Sequence, residues 1–160
     1  MRDRLSAAGA QVVLTREDDT GWGPCITRRA AIGNAAHAAA AISVHADGGP
    51  SSGRGFHIIL PAAVAGHNEA IVGPSRRLGQ AVHSAFAAAT GEPTADYLGS
   101  DGYTVRSDLG GLNLSTVPKV FIEMGNMDNA TDAARMESSA YRDQMATGIA
   151  AGIAAYLTGG

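Results

Sequence analysis

The chain has 160 residues, 45% hydrophobic and 17% charged, with 12 basic against 15 acidic side chains and a net charge of -3. This fits one soluble globular domain and excludes a disordered chain, two full domains, and the basic excess of a nucleic-acid-binding surface. A single cysteine excludes a disulfide framework or multi-cysteine zinc site, and no apolar run reaches the roughly 20 residues that span a bilayer.

Only 5% of the residues are aromatic, so the core must be built from small aliphatics. Residues 1–10 (MRDRLSAAGA) read as the last turns of a helix, with Leu5 and Ala8 facing a core and Gly9 at the C-terminal stop. They carry none of the parts of a secretory signal. A strand is expected at 10–15 and a loop at 16–25, rich in charge, glycine and proline. Residues 26–39 read as a helix with Thr27 as a possible N-cap, 40–45 as a buried strand, and 46–55 (ADGGPSSGRG) as a loop. A strand at 56–60 and an irregular stretch at 61–74 follow. The helix at 75–90 has Leu78, Val82, Ala85, Phe86 and Ala89 at helical spacing and Gly91 as its stop. Residues 92–117 are long and glycine-rich, with a short strand near 103–106. A strand at 119–124 is broken by Gly125. A short helix at 130–136 and a closing helix at 141–157 end the chain, the latter carrying Tyr141, Met145, Ile149, Ile153 and Tyr156 on one stripe. Helices alternating with short buried strands predict a single α/β domain with a twisted, mainly parallel sheet flanked by helices.

In open α/β sheets, ligands bind beyond the carboxyl ends of the strands. Two strands end in residues able to do chemistry. In AISVHADGG, Ser43 and His45 share the face opposite Ile42 and Val44. In VFIEMGN, Phe121 and Glu123 share the face opposite Val120 and Ile122. A glutamate in an apolar strand is costly to bury as an anion unless it is paired, bound to a metal, or used as a base with a raised pKa. A histidine and a carboxylate at neighbouring strand ends suit metal-assisted hydrolysis. Plainer roles are a hydrogen-bonded structural histidine and a glutamate that caps a helix or pairs with an arginine. His57 reads as structural, and His37, His67 and His83 as surface residues. Arg106 and Asp108 lie in a glycine-rich loop, either solvated or facing substrate.

The ordered segments GAQVVLTREDD, RRAAIGNAAHAAAAISVHADGG, GRGFHIIL and VPKVFIEMGNMDNATDA resemble the zinc-dependent N-acetylmuramoyl-L-alanine amidases of family 3. These cell-wall hydrolases cleave the amide between muramic acid and L-alanine of the peptidoglycan stem peptide. The resemblance runs from Leu5 to Leu157. It implies that His45, in the S-[IV]-H-A-[DN] motif, is a zinc ligand, and that Glu123, in the V-E-x-G-[FN]-x-x-N motif, is the catalytic acid/base. It also implies a substrate contact for Arg106, a cleft position for Asn126 and a structural role for Thr15 and Arg16. In the complete family mechanism, zinc polarises the scissile carbonyl and its bound water, and Glu123 moves the proton to the leaving amine. The family further implies peptidoglycan as partner and a periplasmic, extracellular or cell-wall location.

The sequence also departs from the family. The family opens with a strand ending D-P-G-H-x-G, whose histidine is the first zinc ligand, and a glutamate opening the next helix is the second; neither occurs here. The expectation is therefore one amidase catalytic domain over 1–160 that lacks its first strand and N-terminal part, with impaired zinc binding and activity. A loop cysteine is bridged to an upstream one in a subgroup of the family, which would make Cys25 a half-cystine without its partner. The alternatives are a non-catalytic peptidoglycan-binding module with a degenerate amidase fold and a zinc carboxypeptidase-like peptidase. Stem-peptide preference and oligomeric state are not encoded in any motif.

Overall fold

The computed structural model describes residues 1–18 and 20–159; Asp19, in the loop expected at 16–25, lies outside the described residues. The elements are α1 (Arg2–Ala7), α2 (Ile26–Ala35), β1 (Ala41–Asp47), β2 (His57–Pro61), α3 (Glu69–Thr90), β3 (Tyr103–Arg106), α4 (Gly110–Asn113), β4 (Lys119–Asn126), α5 (Ala130–Glu137) and α6 (Ser139–Thr158). The four strands form one sheet in the order β1-β4-β2-β3. β1 runs parallel to β4 and β2 parallel to β3, while β2 and β4 are antiparallel. The architecture is the expected α/β one, with a mixed, mostly parallel sheet.

The two faces of the sheet follow from the period of two along each strand. Ile58, Leu60, Val120 and Ile122 turn to one face and are buried there with Leu78, Val82 and Phe86 of α3 and Met145, Ile149 and Ile153 of α6. Each such side chain contributes roughly 1.5–3 kcal/mol by leaving water. α3 and α6 approach closely because α6 presents Gly148 and Gly152, one turn apart, to α3. A Cβ on Gly148 would lie 2.8 Å from Phe86 Cα. The opposite face carries Ser43, His45, His57, Ile59, Phe121 and Glu123, as the register shows. The apolar helix pair thus leaves the chemistry-bearing face to loops and short helices. Among the described residues no helix is long and apolar enough to cross a membrane.

Several expectations change. Residues 10–14 are not a strand. Ala10 and Val12 pack against the core, but no described strand lies alongside to complete a ladder, and alternation without a hydrogen-bonding partner does not make a strand. Ala8, expected to face the core, is exposed. α2 is capped at Cys25, not Thr27. α3 begins at Glu69, so Pro74 sits inside it. Buried Ile71 extends the apolar stripe a turn beyond Pro74, and its burial offsets the missing amide hydrogen bond near the helix start. β4 continues through Gly125 to Asn126, since a strand tolerates glycine where another group approaches closely; here a Cβ would meet Asp132 at 3.3 Å.

Candidate functional site

The parallel pairing of β1 with β4 places His45 opposite Glu123. The antiparallel pairing of β2 with β4 places His57 opposite Glu123 on its other side. Three neighbouring strands therefore set His45, Glu123 and His57 in one row, with the carboxyl in the middle. This row lies in a cleft also lined by Asp47, Thr104 and Arg106. The expected union of His45 with Glu123 is present.

The row has an apolar side. The His45 ring stacks on Phe121, with centroids 5.0 Å apart and planes 3° from parallel. Desolvation there, aided by the positive charges of Arg29 and Lys119, holds the imidazole below its ordinary pKa. His57 is only 2% exposed. Burial lowers its pKa too, against the opposing pull of Asp47. Glu123 moves the other way: burial, and then the nearby Asp47 carboxylate, push its carboxyl from 4.5 up to about 7. Such a group can hold and release a proton near neutral pH. Its Oε2 is buried without a hydrogen-bond partner, and so is His57 Nδ1.

The glycine-rich loop after β1 forms the rim and is held by buried polar groups. Tyr97 donates a hydrogen bond to Asp47 Oδ2 at 3.2 Å, and its ring packs into the space left by Gly49 and Gly53. Asn126 is fully buried. Its side chain donates to the carbonyls of Pro50 and Gly53 and accepts from the amides of Gly49 and Asp128. The residue expected in the cleft lining is therefore spent on clamping the loop. Asp132, on α5, accepts from the amides of Gly55 (2.7 Å) and Asn126 (3.1 Å) and lies 3.2 Å from Arg54 Nε. Arg54 also bonds Glu92, which Arg135 and Tyr141 reach from the other side. Burial alone would raise the Glu92 carboxyl, but these donors outweigh it and hold it below its usual range.

Arg106 ends β3 at the cleft edge, where it forms a bidentate pair with Asp108 at 2.7 and 2.6 Å. Cys25 is a free, exposed cysteine whose Sγ lies 3.1 Å from Thr27 Oγ1. His83, expected on the surface, is instead half-buried between Phe56 and Tyr103. Sequence reasoning set His57 aside as structural and did not single out Thr104. The available signal was a histidine opening a strand, HIILP, that is buried at every position.

The donor set does not fit a complete zinc centre. Catalytic zinc takes three protein ligands. Among the described residues no three His, Cys, Asp or Glu side chains converge to hold a metal. His45 offers a partly exposed imidazole in the neutral form that a metal requires, but it stands without two companions.

Comparison with known proteins places this geometry. The family model described as N-acetylmuramoyl-L-alanine amidase matches residues 1–155. The chain is 41% identical over 157 residues to N-acetylmuramoyl-L-alanine amidase Rv3717 of Mycobacterium tuberculosis, covering 98% of this chain and 64% of that protein. It thus spans less than two thirds of that curated relative's length. The crystal structure of the N-acetylmuramyl-L-alanine amidase Ami1 from Mycobacterium smegmatis superposes with a TM-score of 0.92 at 39% identity, over 99% of this chain and 72% of that one. Ami1 from Mycobacterium abscessus gives 0.90 at 41% identity, over 98% and 72%.

Proposed function

The chain belongs to the N-acetylmuramoyl-L-alanine amidase family, and from that premise we propose that its cleft binds peptidoglycan and cleaves the amide between N-acetylmuramic acid and L-alanine. The observation that carries the reading is Glu123, a desolvated carboxyl titrating at about 7 between His45 and His57. In this proposal Glu123 takes a proton from the attacking water and gives it to the departing alanine nitrogen. Arg106, at the cleft edge, contacts the substrate. Residues 1–160 act as one catalytic unit, and the site of action is the cell wall, outside the membrane.

Zinc enters through the family. Of the described residues, His45 is the one we assign to it, and the missing companions make binding weak and hydrolysis impaired in this chain. That no three-ligand cluster forms among the described residues also supports a second reading, a peptidoglycan-binding module that holds substrate without cleaving it.

A test of bond specificity separates the readings. A muramoyl-tripeptide and the free tripeptide are each incubated with the chain and excess zinc, and new amino groups are identified. The amidase reading expects slow release of the L-alanine amino terminus from the muramoyl compound and no cleavage of the free peptide. Cleavage of the free peptide would support a peptidase. Binding to sacculi without any release would support the binding module.

A further inference from the structure

Three buried side-chain atoms without hydrogen-bond partners, His57 Nδ1, Thr104 Oγ1 and Glu123 Oε2, belong to residues that line the one cleft. An unsatisfied buried polar atom costs about 1–3 kcal/mol, so folded proteins keep few of them. Glu123 is accounted for by the proposed chemistry. His57 and Thr104 are not, and the sheet places both on the β2–β3 side of Glu123, away from His45. Thr104 pairs in register with Ile59, two residues along β2 from His57, so both side chains turn to the cleft face. His57 is 2% exposed, and its Nδ1 lies at the cleft without a hydrogen-bond partner.

Resting on the amidase reading, we propose that His57 and Thr104 form the stem-peptide subsite, hydrogen-bonding the N–H and C=O of one peptide unit on the leaving-group side of Glu123. A threonine hydroxyl both donates and accepts, and a neutral imidazole nitrogen does one or the other, so the pair can satisfy both groups of an amide. Spare guanidinium donors at this end of the cleft favour the carboxylate-bearing peptide over the glycan. Arg106 lies two residues beyond Thr104, with its side chain 46% exposed. Asp108 engages Nε and Nη2, which leaves donors on the guanidinium for a further carboxylate. Stem peptides carry carboxylates, whereas the glycan at the scissile amide is uncharged.

The test uses this chain, N-acetylmuramoyl-L-alanyl-D-isoglutamine as probe and the uncharged methylamide of N-acetylmuramic acid as the peptide-free control, with affinities from NMR titration and melting temperatures from circular dichroism. Thr104→Val removes the hydroxyl at constant shape. It should weaken binding of the dipeptide probe roughly tenfold, leave the control unchanged, and keep or raise the melting temperature, because a buried orphan is removed. Thr104→Ser should restore binding, and His57→Gln should weaken it as Thr104→Val does. Wild-type affinity for the probe in Thr104→Val, a lowered melting temperature in that variant, or no binding of the probe to the wild-type chain would overturn the subsite. Cleavage of the muramoyl-alanine bond with unaltered binding in Thr104→Val would sink the subsite and leave the amidase reading standing. Thr104-dependent binding without cleavage in excess zinc would do the reverse.

Discussion

His57 and Glu123 face each other across the antiparallel pairing of β2 with β4, and each keeps one buried side-chain atom without a hydrogen-bond partner. Two unsatisfied groups side by side on the floor of a cleft are costly to the fold.

Glu123 carries the clearest consequence. Its carboxyl titrates at about 7 in the fold against an ordinary 4.5, so folding favours the protonated acid. That contribution is complete below pH 4.5, fades as pH rises, and is lost above about 7. Glu123→Gln cannot ionise. In metal-free protein it should match the wild type near pH 4 and exceed its stability near pH 8 by on the order of 2 kcal/mol. His45 and His57 are shifted down, so their contributions have the opposite sign, present above 6.5 and lost as pH falls, and they cancel in the comparison. Urea unfolding across this range is the measurement. Parallel pH curves for the two proteins would show that the carboxyl is not desolvated.

Asp132 should matter more to the fold than its place in a short helix suggests. Asp132→Ala strips the amides of Gly55 and Asn126 of their acceptor and Arg54 of a partner. Removing one side of such a buried arrangement costs about 3–5 kcal/mol. Denaturant unfolding should show a loss of that size, and hydrogen exchange in residues 48–56 should accelerate. A loss within the range of an ordinary surface substitution would contradict the clamp.

Gly152 tests the helix pair. A Cβ there would collide with the backbone of Val82, closer still than the contact at Gly148. Alanine is the better helix former, yet Gly152→Ala should lower stability by about 2 kcal/mol, because the helices must separate. A stabilised variant would mean that α3 and α6 pack more loosely than described.

Much of the fold was legible in the residues. The strands that carry His45 and Glu123, the helical stripes of α3 and α6, and Gly91 as a left-handed stop all follow from local pattern. The segment at 10–15 was misread because alternation reports which faces are apolar but not whether a neighbouring strand exists to bond with. The place of His57 beside Glu123 is illegible for a related reason: the two strands lie more than sixty residues apart in sequence. Asn126 reads as a residue of the loop after Glu123 but ends β4, and its clamp is not legible locally, since only the folded loop after β1 reveals the carbonyls that take its amide.

Cys25 is exposed, and its thiol is pulled below the ordinary value first by the hydrogen bond with Thr27 and then by backbone amides at the start of α2. The thiolate is the reactive form, so the thiol should label readily at neutral pH, and Thr27→Val should slow labelling several-fold. Equal rates in the two proteins would remove Thr27 as the cause.

The central claim is an amidase cleft built around Glu123 with one assigned metal ligand, His45. It is tested most directly by titrating zinc into dialysed protein while following release of stem peptide from cell-wall sacculi, in the wild type and in Glu123→Gln. The account predicts little zinc retained through dialysis, release only at zinc far above the nanomolar range, and none at any zinc concentration in the variant. One tightly held zinc per chain with full activity, or a Glu123→Gln variant that cleaves as fast as the wild type, would contradict it.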